Sequence, residues 1–120
     1  MAETLLYQGV AGNPVNGLRV RLGHNTELLA GNHEITPQSA QFQLLDCGGS
    51  GRIVILPAEE ASQGLFFVVK NTSAAAELLT VKNDAAVDID IIGKNEFCVF
   101  VCDGSSWTSA VGQVAWLPAT

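Results

Sequence analysis

Two cysteines in the stretch "EFCVFVCDGSSW" (residues 96–107) are the first residues whose type and spacing could do chemistry. Cys98 and Cys102 lie four residues apart, which on a loop or helix could suit a metal. Because β-branched and aromatic residues fill the gap, we predict a strand, in which residues four apart share a face at about 13 Å. A disulfide needs Cα atoms within about 7 Å. We therefore expect free thiols that are buried as small apolar groups.

Other combinations of reactive residues are also weak. Tetrahedral zinc normally needs two local ligand pairs, and His24 and His33 lie far from Cys98 in the sequence. The Gly-rich flank of Cys47 in "LLDCGGSG" lacks the lysine and the helix of a phosphate loop, and we predict a hairpin turn there. A Cys-His or Ser-His pair meets only in space, so the sequence leaves it open. We expect no catalytic residue, cofactor or metal.

Acidic residues do not form a calcium motif. Asp84, Asp88 and Asp90 lack the spacing, glycine and terminal glutamate of an EF-hand loop. On a strand, Asp88 and Asp90 would share a solvated face. We interpret Glu59 and Glu60 in the same way.

Composition restricts the class of partner. The chain has 120 residues and a net charge of −6, and only 15% of its residues are charged, against about 25% in a typical domain. Burial in an assembly would account for such a surface, and the chain's rich supply of Ser, Thr, Asn and Gln would also help to cover it. Nucleic-acid binding is disfavoured because the six basic residues are scattered. No stretch approaches the roughly 20 apolar residues of a membrane span, and the N-terminus lacks the features of a signal peptide, so we expect thiols in a reducing compartment.

Period-two alternation and closely spaced turn signals predict β structure almost throughout. The predicted strands are residues 18–22, 41–45, 52–57, 64–71, 77–83, 87–92, 97–102 and, as a last strand, 113–117. Residues 18–22 would point Leu18, Val20 and Leu22 inward. Residues 97–102 do not alternate, so we expect both faces of that strand to be covered.

Residues 87–92 alternate cleanly, which places Val87, Ile89 and Ile91 on the face opposite to the aspartates. One short helix is expected at residues 57–63, ended by Gly64, whereas residues 73–79 are interpreted as a turn and a strand.

These elements predict an all-β fold, an antiparallel β-sandwich or jelly-roll-like barrel with at most one or two short helices. Residues 1–34 would form an N-terminal arm or outer strands, and residues 35–120 a sandwich module, together one compact domain. We expect Trp107 to fold back after the "DGSS" turn onto the core edge. A carbohydrate-stacking platform at Trp107 or Trp116 is the alternative.

The order of these signals over residues 35–109 resembles a β module common in virion proteins of tailed bacteriophages. The residues that carry the resemblance are Leu56-Pro57, Gly64, Val69-Lys70-Asn71, Thr80-Val81, Gly93 and Asp103-Gly104-Ser105-Ser106-Trp107. Cys102 departs from the pattern, which usually has serine before Asp-Gly. The resemblance implies a non-enzymatic structural protein of the virion, often trimeric.

Size favours one member of that class, because a chain with little more than one module is closer to a capsid decoration (cement) protein than to a fibre. The expected partners are further copies in a homotrimer and the major capsid protein, on the capsid exterior, after synthesis in the host bacterial cytoplasm. The alternative is a tail-fibre or tail-tip module that binds a host receptor or carbohydrate. The candidate subunit or capsid contacts are Leu5, Leu6, Tyr7, Phe66, Phe67, Phe97, Phe100, Trp107 and Trp116.

Overall fold

Two β-sheets and one short 3-10 turn make up the described part of the chain. The computed structural model describes residues 20–113, and for residues 111–113 the backbone only. The strands are β1 (His24–Leu28), β2 (His33–Glu34), β3 (Phe42–Asp46), β4 (Arg52–Ile55), β5 (Phe66–Asn71), β6 (Leu79–Lys82), β7 (Asp88–Ile92), β8 (Glu96–Cys102) and β9 (Trp107–Gln113). The prediction of an all-β sandwich is confirmed.

The first six strands alternate between the two sheets. Sheet A has the order β1-β3-β5-β8-β9, and sheet B has the order β2-β4-β6-β7. Neighbours among the first six strands are therefore parallel, and only the pairs β5–β8, β8–β9 and β6–β7 are antiparallel. Antiparallel sheets were expected, whereas both sheets are mixed. The Gly-rich turn after Cys47 is not a hairpin, because it carries the chain from β3 in sheet A to β4 in sheet B.

The core lies between the sheets and is built by period-two alternation on β5, β6 and β8. Phe67 and Val69 of β5 lie opposite Phe100 and Cys98 of β8, and all four side chains are fully buried. The remaining buried apolar residues are Leu29, Ile35, Leu45, Cys47, Val54, Leu56, Leu79, Val81, Ile92, Cys102 and Trp107. A core of this kind supplies most of the stability of a small domain.

Polar side chains fill the interior beside β1 and β2. Gln43 is only 2% exposed, and its Oε1 lies 3.0 Å from Asn25 Nδ2 and 3.1 Å from His33 Nε2. Gln43 Nε2 donates to the carbonyl of Ala40 at 2.7 Å. Since the amide is paired at both ends, it can be buried at little cost.

The first predicted strand and the predicted helix are wrong in position or length. Residues 20–23 are not in a strand, and Val20 is 74% exposed; Leu18 lies outside the described residues. In place of the helix there is one 3-10 turn, Glu59–Ala61, before Gly64, whose φ is +82°. Within residues 20–113, no helix is long and apolar enough to cross a membrane.

The predicted faces of residues 87–92 are right for Ile89, which packs against the core, but wrong for Val87 and Ile91. Ile92 is buried, whereas Val87 and Ile91 are 56% and 48% exposed. The register of β6 with β7 shifts between Val81 and Lys82, so a bulge changes which side of β7 faces inward. Alternation alone cannot locate such a bulge.

The turn between β8 and β9 is confirmed. The Asp103 carboxylate accepts hydrogen bonds from the amides of Ser105 and Ser106, both at 2.8 Å, and these bonds hold its pKa below the usual value. Gly104 adopts a φ of +97°, which glycine accommodates without strain. Trp107 then folds onto the core edge, where it is 6% exposed.

Candidate functional site

The three cysteines are buried, free thiols. Burial, together with the nearby Asp90 carboxylate, raises the pKa of Cys98 to about 12. Its Sγ donates to Asp90 Oδ2 at 3.7 Å, and Ser109 Oγ donates to the same oxygen at 2.8 Å. A thiol with this pKa stays neutral near pH 7, so Cys98 is not an activated nucleophile.

The thiols of the folded protein should be inert to a thiol-specific reagent such as DTNB at pH 8. All three should react once the chain is unfolded in guanidinium, which serves as the control. Fast reaction of any thiol in the native state would instead indicate a reactive site. Above pH 9 the native state should lose stability, because the Cys98 thiol of the unfolded chain ionises at its ordinary pKa of 9.0, whereas in the folded chain its pKa is raised to about 12.

The described residues do not form a metal-binding site. Within residues 20–113, no group of three or more His, Cys, Asp or Glu side chains is placed to hold a metal ion. The prediction that Asp90 lies on a solvated face is wrong. Its carboxylate accepts hydrogen bonds from Ser109 and Cys98. Asp88 instead forms an ion pair with Lys82 at 2.7 Å.

The outer face of sheet A is the most distinctive surface of the described chain, and we call it the apolar face. Its residues alternate with the core residues, so they point away from sheet B. The apolar members are Leu28, Phe42, Leu44, Phe66, Val68, Phe97, Val99, Val101 and Ala110. Three of them, Leu28, Phe97 and Val101, are 69%, 37% and 47% exposed.

Strand register makes the apolar face continuous. One row across the sheet joins Phe42, Val68, Val99 and Ala110, because each is paired with the next. A second pairing places Phe66 beside Val101. Sheets of this kind have strands about 4.8 Å apart and a rise of about 3.3 Å per residue, so five strands present roughly 500 Å². Apolar residues occupy the larger part of that face, and the largest apolar patch of a typical monomer, about 300–600 Å², is often functional.

Few charges interrupt the apolar face. Among the outward residues described above, Lys70 pairs in register with Leu44 and Phe97, and Asp46 lies beside Leu28. The outer side of sheet B carries the Lys82–Asp88 ion pair together with Ile53, Ile55 and Ile91. Apolar residues therefore occur on both outer surfaces and are more numerous on that of sheet A.

Strand alternation divides the predicted contact residues between the two sides of sheet A. Phe66 and Phe97 lie on the apolar face, but Phe67 and Phe100 are fully buried inside the chain, where no partner can reach them. The expectation that both faces of residues 97–102 are covered is therefore wrong within this chain. Leu5, Leu6, Tyr7 and Trp116 lie outside the described residues.

Trp107 belongs to the core and not to a binding surface. Its indole Nε1 donates to the Pro57 carbonyl at 3.1 Å, and its ring centroid lies 5.9 Å from that of Phe67. Because the ring is buried, Trp107 is not available as a carbohydrate-stacking platform. No local sequence pattern predicts this contact, because it spans 50 residues.

Comparisons with known proteins give no relative. No family model matches the chain, and neither a curated protein nor a solved structure shows significant similarity to it. The contacts of the described residues therefore carry the functional argument.

Proposed function

We propose that this chain is a non-enzymatic structural protein of a phage virion, a capsid decoration protein that binds the assembled head through the apolar face and stabilises it. The resemblance of residues 35–109 to virion β modules suggests the setting, and the apolar face is the observation that carries the mode of action. The proposed partners are further copies in a trimer and the major capsid protein.

The free energies of burial and association favour a partner that offers the same contact many times. Because the face of roughly 500 Å² also carries polar residues, covering its apolar part contributes less than about 12 kcal/mol at 25 cal/mol per Å². Association itself costs about 4–15 kcal/mol, so a single contact of this size is marginal. On a lattice, linked contacts add through multivalency. A ligand that binds only the assembled shell stabilises it by mass action.

The chemistry of the interior also supports assembly over catalysis. Cys98 is held as a neutral thiol, and Asp90 is engaged by Ser109 at 2.8 Å. Gln43 and Asn71, both buried, make hydrogen bonds within the fold. Hydrogen bonds within the fold therefore explain why these polar groups are buried.

Val101→Lys should weaken binding to the shell by about tenfold or more, because burying an unpaired ammonium in an apolar contact is costly. The assay is co-sedimentation with capsids that lack this protein, followed by thermal release of DNA. Ile91→Lys is a matched control, since Ile91 is 48% exposed on the outer side of sheet B and Val101 is 47% exposed on sheet A.

Two results would overturn the proposal. If the wild-type chain did not bind capsids but bound host cells or glycans, the tail-fibre alternative would be favoured. If Ile91→Lys and Val101→Lys weakened shell binding equally, the apolar face would not be the contact surface.

A further inference from the structure

The four edge strands of the two sheets differ in how they are protected against pairing with another chain. Natural sheets guard their edges by short strands, charges, proline or bulges. β2 has two residues, and β1 carries Glu27. β7 has a bulged register and the charged Asp88.

β9 has none of these protections. Its seven residues, "WTSAVGQ", contain no charge and no proline, and it pairs with β8 in an unbroken register from Trp107 to Gln113. Among the described residues its other edge has no strand neighbour. A long, uncharged and regular edge is a template for strand addition.

Hydrogen-bond alternation shows which groups of β9 face the open edge. The N–H of Cys102 donates to Leu65 and its carbonyl accepts from Gly64, so both point toward β5 and away from β9. The partner of Cys102 in β9 is Trp107. In an antiparallel ladder the direction alternates, so Thr108 and Ala110 bond β8. The backbone groups of Trp107, Ser109, Val111 and Gln113 are directed to the open edge.

We propose that β9 pairs antiparallel with β9 of a second copy about a two-fold axis at Ala110. In that register Ser109 meets the second copy's Val111, and Trp107 meets its Gln113, so about eight backbone hydrogen bonds form. Every open-edge group of the strand then has a partner, which is the self-complementarity that a two-fold contact requires.

Surface chemistry supports a second copy as the occupant. Thr108 and Ala110, the outward residues of β9 with described side chains, are small, uncharged and exposed. Pairing would also join the apolar faces of two copies into one ten-stranded sheet. This two-fold contact is separate from the proposed shell binding, and from the three-fold association that the resemblance implies.

Amide hydrogen exchange tests the proposal in the wild-type chain at low and high protein concentration. The amides of Ser109 and Val111 should slow by about tenfold or more at high concentration. The amides of Thr108 and Ala110 should be slow at both, because they already bond β8. Unchanged exchange at Ser109 and Val111 in a sample that sediments as an oligomer would overturn the proposal.

Charge substitution gives an independent test by sedimentation velocity. Ala110→Lys places like charges opposite each other across the axis and should weaken self-association by about tenfold. Mixing Ala110→Lys with Ala110→Glu should restore it. Thr26→Lys, on the opposite edge strand of sheet A, is the control. Val101→Lys should weaken shell binding without changing exchange at Ser109, so failure of this proposal and failure of the proposed function are distinguishable.

Discussion

Replacing Asn71 by alanine is expected to lower the free energy of unfolding by about 3–5 kcal/mol. Asn71 is fully buried at the end of β5. Its Nδ2 donates to the carbonyls of Glu77 at 2.7 Å and Ile92 at 3.0 Å, and its Oδ1 accepts from the amide of Ser73 at 3.0 Å. Alanine would leave these buried groups without a partner and would leave a cavity.

The position of Asn71 explains why the effect should be large. It ends a strand of sheet A, whereas Ile92 ends β7 of sheet B, so the side chain connects the two sheets. The Ile92 carbonyl lies 21 residues further along the chain, and the Glu77 carbonyl lies six residues further. Loss of the amide should therefore loosen the packing of the sheets and not merely one turn.

Asn83→Ala is the matched control, because Asn83 also follows a Val-Lys pair. Its Oδ1 accepts from the amides of Ala85 at 3.0 Å and Val87 at 2.9 Å, in an exposed loop where water can replace it. The expected cost is about 1 kcal/mol or less. Urea unfolding measures both variants. Similar losses for the two would show that the buried bonds of Asn71 add little.

The two Val-Lys-Asn stretches also show how far sequence patterns reach. Both were predicted to end a strand, and β5 does end at Asn71, while β6 ends at Lys82, one residue before Asn83. Local chemistry suffices for that, because asparagine bonds nearby backbone amides. Which one becomes a buried link between sheets depends on residues 21 positions away. No local pattern contains that information.

Alternation predicted the candidate surface only in part. Residues of a strand that are one or three positions apart point to opposite faces. Phe66 and Phe67 therefore lie on different faces of sheet A, and so do Phe97 and Phe100. Since both sides of β5 and β8 are apolar, the sequence did not indicate which side is the core. Sheet B decides it by packing against Phe67 and Phe100.

The least predictable elements are the ones whose inner residues are polar. β1 has Asn25 turned toward Gln43, so its sequence lacks the apolar alternation that reveals a strand. The parallel pairing of β1 with β3 was equally hidden, because turn residues do not specify whether the next strand joins the same sheet or the other one. Register and sheet order depend on contacts distant in sequence.

Gly48→Ala is expected to destabilise the fold by about 3–5 kcal/mol. Gly48 follows β3 with a φ of +75°, and a Cβ there would lie 2.3 Å from the carbonyl oxygen of Leu29. The clash is with backbone, so no rotamer relieves it. Moving Leu29 away would strain its hydrogen bond to the Asp46 carbonyl at 2.8 Å, which continues the pairing of β1 with β3.

Substitutions at two further glycines distinguish the steric clash from the backbone strain as causes of that loss. Gly49 has a φ of +116° but open space around its missing Cβ, so Gly49→Ala should cost only the conformational strain, about 1–2 kcal/mol. Gly31 has open space and no such φ, so Gly31→Ala should change stability by less than about 0.5 kcal/mol. Chemical denaturation should rank the variants in that order. Equal losses at Gly48 and Gly49 would mean that conformational strain alone fixes the crossover, and that β1 can shift to admit a methyl group.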